Sequence, residues 1–400
     1  MSVGTNVRVI NYGHQSISDA DCQAVVDVLK SDWLTQGPAV KAFEDGLART
    51  CGAAHVVSCA NGTAALHLAA LALGWGPGDV VLVPSITFLA SANCAVYVGA
   101  EPFFVDVEDR TLTIDPAEVE RHVQALRAQG RRVRAVVGVD MAGQPCDWPA
   151  LRALADRHDL ELVDDASHAL GAADADGERI GSGRQADVTT FSFHPVKHIT
   201  TAEGGAVSTA DATLAESVRR FRSHGMVRGE EVESWEGPWH ADMVDLGFNY
   251  RLSDVHAALG LSQLQRLPAF IARRRDIADR YRRRFAGNPR VRCPEDTAGR
   301  GGALHAYHLF IVRADFAAAG RTRREVFEYC RERGVALQVH YRPVFMNAFY
   351  RDREITRGAA AWNPVSCRYY EQALSLPLYP DLSDADVDYV ATLVTEALAG

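Results

Sequence analysis

The chain has 400 residues, of which 47% are hydrophobic and 23% are charged. This composition is typical of a folded globular protein and excludes a disordered, collagen-like or coiled-coil chain. Lys and Arg number 42 and Asp and Glu number 51, so the formal charge is −9 with His neutral. A general nucleic-acid binder would carry a basic excess instead, so we expect no nucleic-acid partner.

The eight cysteines are scattered, without a CxxC pair or the spacing of a metal finger. They predict small buried thiols in a reducing compartment rather than disulfides or metal ligands. The N-terminal segment MSVGTNVRVINYGHQ lacks the apolar run of a signal peptide. We therefore expect a cytoplasmic protein.

Residues 80–100 form the one stretch that raises a membrane question, because they contain no charged residue. Pro84 lies early in this stretch, and four polar residues interrupt it: Ser85, Thr87, Ser91 and Asn93. A buried strand, a turn and a buried helix explain this pattern better than a membrane span, so we expect no membrane partner.

Short apolar, β-branched runs alternate with helical stretches over the first two thirds of the chain. A capping-box-like Ser18–Asp21 precedes the first helix. Strands are predicted at 55–59, 80–83, 102–105, 133–139, 161–165, 188–193 and 205–209, and the helices between them at 62–73, 87–99, 116–128 and 148–158. Continuous apolar strands joined by helices predict an α/β fold with a mostly parallel central sheet, whose ligands bind at the carboxyl ends of the strands.

The sequence pattern changes after about residue 265. The arginine-rich stretch 271–285 predicts one helix, and Asp276 and Asp279 within it favour a solvated face with ion pairs over a phosphate or RNA site. A smaller βα unit is predicted at 307–312, 321–333 and 335–339, followed by a terminal helix at 387–398. We therefore predict a large α/β domain over 1–265, which includes an N-terminal substrate-side segment, and a small C-terminal α+β domain over 266–400.

Lys197 follows a predicted buried strand, in the stretch FSFHPVKHITTAEGGAV. A lysine is most often a surface residue, but one at the ligand-binding edge of a sheet is placed for Schiff-base chemistry with a carbonyl. His194 and His198 flank it at a spacing that zinc could use. Pro195 disfavours a helix between them and no third ligand is near in sequence, so we expect no metal.

Two acids end the strand at 161–165 and a histidine follows it, in the stretch VDDASHALGA. Asp164 and Asp165 could hold a metal, act as acid and base, or cap a helix. A carboxylate near a lysine also allows a third interpretation, because pyridoxal phosphate needs a lysine for its aldehyde and a carboxylate for its pyridinium nitrogen.

A phosphate site is predicted where SCANGTAAL passes from a strand into a helix at Gly62. The free amides and the positive dipole of a helix N-terminus attract an anion, and Thr63 adds a hydroxyl. The signal is weak alone, since it lacks the GxGxxG and GKS/T patterns.

Taken together, these stretches resemble the DegT/DnrJ/EryC1/StrS family of sugar-nucleotide aminotransferases. The resemblance runs from SDWLTQGP at 31–38 to LSLPLYPDLS at 374–383, and it includes PSITFLASAN and DLGFNYRLSDVHAALG. It implies an aspartate aminotransferase-like (type I) fold, pyridoxal 5′-phosphate as cofactor, and a transaminase activity.

Carried over position by position, the resemblance implies that Lys197 is the catalytic Schiff-base lysine and that Asp165 pairs with the pyridinium nitrogen. His168 matches the residue beside the cofactor's 3-hydroxyl, where many relatives have Gln. Phe88 matches the aromatic ring stacked on the cofactor. The implied phosphate contacts are Gly62, Thr63, Ala64 and Ser192.

Asn249 matches an asparagine that reaches the cofactor's phosphate from the other subunit, which implies an obligate homodimer with shared active sites. Some relatives have His in place of the lysine and catalyse dehydration instead. The presence of Lys197 therefore favours amino transfer.

Within the family, the chain is most similar to the branch that makes 4-amino sugars for pseudaminic acid. This likeness implies glutamate as donor and a UDP-linked 4-keto-6-deoxy-2-acetamido hexose as acceptor, giving UDP-4-amino-4,6-dideoxy-N-acetyl-β-L-altrosamine. His340, Tyr341 and Arg342 are weaker candidates for the sugar and diphosphate side, since HYRP could equally be a packing motif. Other nucleotide-linked keto sugars, an amino-acid aminotransferase and a non-catalytic regulator on the same fold remain alternatives.

Overall fold

The computed structural model describes residues 9–229, 237–295 and 304–399. Helix α1, Asp19–Leu29, begins at the predicted capping box, where the Asp21 amide donates to the Ser18 hydroxyl and the Ser18 amide donates to the Asp21 carboxylate. Helix α2, Pro38–Cys51, follows it. The predicted start of the first helix is therefore confirmed.

A seven-stranded sheet forms the centre of the molecule. Its strands are β1 His55–Cys59, β2 Asp79–Pro84, β3 Glu101–Val105, β4 Arg132–Val139, β5 Glu161–Asp165, β6 Val188–Ser192 and β7 Gly205–Thr209. Their order is β1-β7-β6-β5-β4-β2-β3, and β7 runs antiparallel to both of its neighbours while the other pairs are parallel. The predicted mostly parallel α/β sheet is confirmed.

Helices cover both faces of this sheet, so its strands are buried on both sides. They are α3 Gly62–Ala72, α4 Ala90–Tyr97, α5 Pro116–Ala128, α6 Trp148–His158 and α7 Ala212–Arg222. One apolar core lies under α2, α5 and α6, and a second lies under α3, α4 and α7. The uncharged stretch 80–100 forms β2, a turn and α4, as predicted. In the part of the chain that the structure describes, no helix has both the length and the apolar character to cross a bilayer.

Helix α8, Asp254–Phe285, has 32 residues and includes the predicted helix at 271–285. Its first residue caps α2 from a distance, because the Asp254 carboxylate accepts hydrogen bonds from the amides of Gly37 and Ala39 at 2.7 and 2.9 Å. The division of the chain at residue 265 falls inside this continuous helix and stays a prediction.

The C-terminal part contains a three-stranded antiparallel sheet of β10 Val291–Arg292, β11 Phe310–Ala314 and β12 Ala373–Leu376, packed against α9 Arg323–Glu332 and α13 Asp384–Ala399. The strand predicted at 335–339 was wrong. Its backbone pairs only at single residues, Val335 with Ile10 and Gln338 with Ser375, so no continuous ladder forms. The remaining short elements are β8 Met226–Val227, β9 Asp242–Met243, α10 Ala348–Arg351, α11 Ala359–Trp362 and α12 Pro364–Gln372.

The eight cysteines all lie in the described ranges, and none is paired. Five of them are buried, and burial raises the pKa of the Cys51 thiol to about 12. Cys22 is exposed and Cys293 and Cys367 are half-buried, so the expectation of buried thiols holds for the other five.

Candidate active site

A cavity of about 470 Å³ opens at the carboxyl ends of β4, β5 and β6. The N-terminus of α3 and the segment around Lys197 form two of its walls, and His340 and Tyr341 from the C-terminal part form another. This is the edge where a parallel sheet binds its ligands, because the connecting loops gather there.

Lys197 reaches this cavity from the loop between β6 and β7. The loop is tightly folded, since the Lys197 amide donates to the His194 carbonyl at 2.9 Å and the Thr201 amide to the Phe193 carbonyl at 3.0 Å. Burial lowers the pKa of Lys197 to about 8, the Asp165 carboxylate opposes this shift, and the Arg274 guanidinium adds to it. About a tenth of the amine is therefore neutral at pH 7, far more than in an exposed lysine, and able to act as a nucleophile or base.

Asp165 ends β5 with its carboxylate in the same cavity. The Ser91 hydroxyl donates to Oδ2 at 2.6 Å, and Ser167 donates to Oδ1 from its hydroxyl at 2.6 Å and from its amide at 3.2 Å. Three donors thus hold a buried carboxylate in a fixed orientation, which suits a cationic ring N–H as its partner.

Asp164 lies on the opposite face of the sheet, because neighbouring residues of a strand point to opposite sides. It is buried beside Asp140, and among the described residues neither Asp164 Oδ1 nor Asp140 Oδ2 has a hydrogen-bond partner. Burial, with the negative charge of Asp165, raises the pKa of Asp140 to about 7. Burial, with the charges of Asp140 and Asp165, raises the pKa of Asp164 well above its ordinary value. The adjacent acids Asp164 and Asp165 are therefore not an acid–base pair in the cavity.

The Asp164→Asn variant is expected to stabilise the fold in a pH-dependent way. Because folding raises both carboxyl pKa values, the folded chain holds protons that the unfolded chain releases above pH 3.8, and stability is lost progressively up to about pH 7. We expect the thermal midpoint to rise by about 2 to 4 °C at pH 8 and to change little at pH 4. An equal difference at both pH values would contradict the buried carboxyl pair.

The N-terminus of α3 is built to approach β6 closely. A Cβ at Gly62 would lie 2.8 Å from Ser192 Cβ, so only glycine fits there. The Asn61 side chain caps the helix by accepting from the Ala64 amide at 2.8 Å. Gly62, Thr63 and Ser192 line the cavity, whereas Ala64 does not and its amide is already engaged. The groups in this corner that face the cavity and could bind an anion are therefore those of Gly62, Thr63 and Ser192.

Three buried imidazoles surround the amine. His168 Nδ1 accepts from the Ala142 amide at 3.3 Å, so the ring proton lies on Nε2, which is 3.4 Å from the Tyr341 hydroxyl. The His340 ring bonds to the Ser375 hydroxyl at 2.8 Å. The His308 ring is tilted against that of His168 at 4.3 Å between centroids, and its Nδ1 has no hydrogen-bond partner among the described residues. Burial, with the charge of Lys197, lowers the pKa of all three rings, so they are neutral near pH 7.

Other predicted residues lie at the mouth of the cavity or outside it. Phe88 is 55% exposed and faces Tyr341 at 6.1 Å between ring centroids, with one side open. Arg342 and Asn249 are exposed and do not line this cavity. His198 is buried and bonds to the Ala306 carbonyl at 3.1 Å, and no group of three potential metal ligands occurs in the described ranges.

Several residues that matter here were not found from the sequence. Ser91 and Ser167 orient Asp165, Tyr12 and His308 line the cavity, and the buried guanidinium of Arg274 acts on Lys197. In the sequence, Ser91 could have been noticed as a polar residue within an apolar stretch, and Ser167 as the neighbour of His168. Tyr12, His308 and Arg274 had no local signal, because they reach the site through long-range packing.

These groups fit pyridoxal phosphate by their chemistry. They comprise a buried amine for an aldehyde, an oriented carboxylate for a pyridinium nitrogen, and a helix N-terminus with hydroxyls for a phosphate. Bound pyridoxal phosphate would supply an electron-withdrawing ring that stabilises negative charge on an attached carbon. The fold and cavity are those of a pyridoxal-phosphate-dependent transferase.

The chain belongs to the DegT/DnrJ/EryC1/StrS aminotransferase family, whose model matches residues 15–395. It is 37% identical over 392 residues to the spore coat polysaccharide biosynthesis protein SpsC of Bacillus subtilis (strain 168), covering 97% of each chain. Among solved structures it is similar to PseC of Helicobacter pylori, an aminotransferase involved in the biosynthesis of pseudoaminic acid, with 28% identity and a TM-score of 0.87 over 98% of this chain and 99% of that one. It is also similar to the PLP-form of the putative sugar aminotransferase Spr1654 of Streptococcus pneumoniae, with 29% identity and a TM-score of 0.85 over 98% of each chain.

The protein is thus a pyridoxal-phosphate-dependent sugar aminotransferase, and the family, fold class and cofactor predicted from the sequence are confirmed.

Proposed function

We propose that this enzyme moves an amino group from glutamate to the C4 ketone of a UDP-linked 4-keto-6-deoxy-2-acetamido hexose. The product would be the 4-amino-4,6-dideoxy sugar nucleotide of pseudaminic-acid-type biosynthesis. The observation that carries the proposal is the likeness to PseC over nearly the full length of both chains. The free thiols also support a place in the reducing cytoplasm.

In this proposal Lys197 Nζ would hold the cofactor through its aldehyde group, and the same amine would move protons once the donor is bound. Its lowered pKa then lets the neutral amine accept a proton at the donor's α-carbon. In the second half-reaction it returns a proton to the sugar carbon. One residue thus moves both protons, and ping-pong kinetics should follow.

The surrounding residues hold the cofactor in the orientation that this proton transfer needs. Asp165 would pair with the ring nitrogen, and His168 would donate its Nε2 proton to the ring oxygen. The phosphate would lie against the first turn of α3 and Ser192, and Phe88 would stack on the ring from the open side. These assignments rest on the geometry around the cavity and remain proposals.

His340 and Tyr341 lie opposite the sheet, where a sugar would enter. Arg342 follows them in an exposed position, and we propose that its guanidinium contacts the diphosphate outside the cavity.

The substrate assignment is tested with a panel of 4-keto and 3-keto sugars linked to UDP, dTDP or GDP. Glutamate alone should first remove the visible absorbance of the bound cofactor, and the matching sugar should restore it. Restoration by the UDP-linked 4-keto sugar at the highest kcat/KM supports the proposal. A higher value with a 3-keto or another nucleotide sugar overturns the sugar assignment, and turnover with amino acids in both half-reactions points to an amino-acid aminotransferase.

We further propose that two copies of the chain share their active sites. Asn249 is exposed and lies outside the cavity of its own protomer. Large apolar side chains on the same segment are also exposed, among them Leu246 at 79% and Met243 at 62%. A concentration of exposed apolar side chains marks a protein-contact surface, so this segment suits a partner copy.

Mixing two inactive variants, Lys197→Ala and Asn249→Ala, should restore activity if the sites are shared. A mixed dimer carries both lesions in one site and none in the other, so random exchange should give about a quarter of wild-type turnover. As a control, mixing Lys197→Ala with Asp165→Asn should restore nothing, because each site of that mixed dimer keeps one lesion. No recovery in the first mixture, despite exchange proven by mass spectrometry, would place Asn249 in its own protomer's site.

A further inference from the structure

Arg274 lies in the middle of α8, and only 1% of its surface is exposed. Its Nη1 donates to three backbone carbonyls, those of Tyr307 and His308 at 3.2 Å and that of Leu378 at 3.1 Å. No carboxylate of a described residue lies within ion-pair distance, and Nε has no hydrogen-bond partner among the described residues. The guanidinium is therefore a buried cation without a counter-charge in the described part of the chain.

The other arginines of this helix contrast with it. Five of them pair with a carboxylate, namely Arg266, Arg273, Arg280, Arg282 and Arg284. Burying an unpaired charge is strongly unfavourable, and a carboxylate nearby would remove much of that cost. A role of the positive charge itself would explain why Arg274 is buried without a carboxylate partner.

The carbonyls that bind Arg274 connect it to the walls of the cavity. His308 lines the cavity directly. The Leu378 amide donates to the carbonyl of Tyr12, which also lines it, at 3.1 Å. Arg274 thus fixes two segments that face Lys197 from the side opposite the sheet.

Few groups near Lys197 carry a full charge. Asp165 on β5 is the carboxylate that attracts a proton to the amine, and Arg274 on α8 is the cation that repels one. Burial keeps the nearby imidazoles neutral by lowering their pKa, those of His168, His198, His308 and His340. Burial also raises the pKa of the Tyr341 phenol, so this side chain is uncharged. Three further titratable side chains line the cavity, Tyr12, His194 and Glu203, and the last two do so from exposed positions where solvent screens them.

We infer that Arg274 is a positioning residue, whose hydrogen bonds fix the backbone at His308 and whose unpaired positive charge behind the cavity disfavours protonation of the Lys197 amine. The inference rests on the proposed role of Lys197 as the reacting amine. Burial lowers the pKa of Arg274 to about 10, so its guanidinium stays charged at neutral pH, whereas a lysine buried there would lose its proton more easily.

The chain offers a direct test, because its 400 residues contain only three lysines, Lys30, Lys41 and Lys197. Lys30 and Lys41 are exposed and serve as internal standards. The full chain, freed of cofactor, is labelled with trace acetic anhydride between pH 6 and 11, and mass spectrometry gives the titration midpoint of each lysine. Lys197 should titrate below both standards.

Removing the charge at position 274 should raise the Lys197 midpoint by about 0.5 to 1 pH unit. Arg274→Met removes the charge and the donors, whereas Arg274→Gln removes the charge and keeps an amide donor for the carbonyls, so both should raise it. Arg275→Met is the matched control, because it removes the same charge from a partly exposed neighbour on the same helix and should leave the midpoint in place.

An unchanged Lys197 midpoint in folded Arg274 variants would overturn the inference, since burial alone would then account for the lowered pKa of the amine. A shift of equal size in Arg275→Met would overturn it too. If the Arg274 variants do not fold, the wild-type titration decides, and a Lys197 midpoint at or above the standards contradicts the inference. The measurement uses no cofactor, donor or sugar, so its result does not depend on whether the proposed substrate is correct.

Discussion

The Lys197→Ala variant is expected to lose transamination by at least about 10³-fold, because one amine supplies both the cofactor attachment and the proton transfer. The variant should still bind pyridoxal phosphate non-covalently, since Asp165, Ser192 and the first turn of α3 are unchanged. The measurement is the initial rate with glutamate and the nucleotide sugar. Lys30→Ala is the matched control and should retain full activity, because Lys30 is exposed at the end of α1.

A second measurement identifies the attached lysine without relying on turnover. Borohydride reduction of the cofactor-loaded protein should leave the cofactor's mass on one of the three lysine-containing peptides, the one with Lys197. Label on Lys30 or Lys41, or more than trace turnover in Lys197→Ala, would contradict the assignment.

The Asp165→Asn variant is expected to show the next largest loss. A neutral amide cannot stabilise a pyridinium charge, and loss of a charge-assisted hydrogen bond of about 3 kcal/mol corresponds to about 10²-fold in rate. Both half-reactions should slow, because both use the same ring.

Asp164→Asn is the matched control for this prediction. It makes the same chemical change one residue earlier, on the face of β5 that points away from the cavity, and its turnover should stay within about threefold of wild type. Near-normal turnover in Asp165→Asn together with a loss in Asp164→Asn would reverse the assignment of the two carboxylates.

The strand ends that carry the chemistry could be predicted from the sequence, because each lies directly after an apolar run. Lys197 and Asp165 were placed together because the carboxyl ends of parallel strands meet at one edge of a sheet. The direction of β7 could not be predicted. A buried run such as GAVST reads the same whether the strand is parallel or antiparallel to its neighbours.

The hydroxyl groups in the stretch 80–100 show how a correct inference can miss the function of the same residues. They indicated that the stretch does not span a membrane. In the structure, two of them also take part in holding Asp165. The Thr87 and Ser91 hydroxyls bond to each other at 2.7 Å, and Ser91 donates to Asp165. That contact joins residues 74 positions apart, so no local pattern could reveal it.

The same limit applies to the C-terminal wall of the cavity. Arg274 was predicted only as part of a solvated helix face, yet it is buried against the backbone at His308 and Leu378. The helical pattern placed it on a helix but could not say which face meets the rest of the chain. The strand predicted at 335–339 failed for a related reason, because its backbone pairs only at single residues with two distant segments.

The imidazole of His168 takes its tautomer from a main-chain amide, that of Ala142, rather than from a side chain. Every residue except proline would keep this backbone amide at position 142. An alanine scan of the site would therefore not reveal what places the ring proton of His168. Proline alone lacks the amide, but its φ near −65° is incompatible with the φ of 60° at Ala142. The tautomer of His168 therefore does not depend on which side chain occupies position 142, and relatives that differ there can share it.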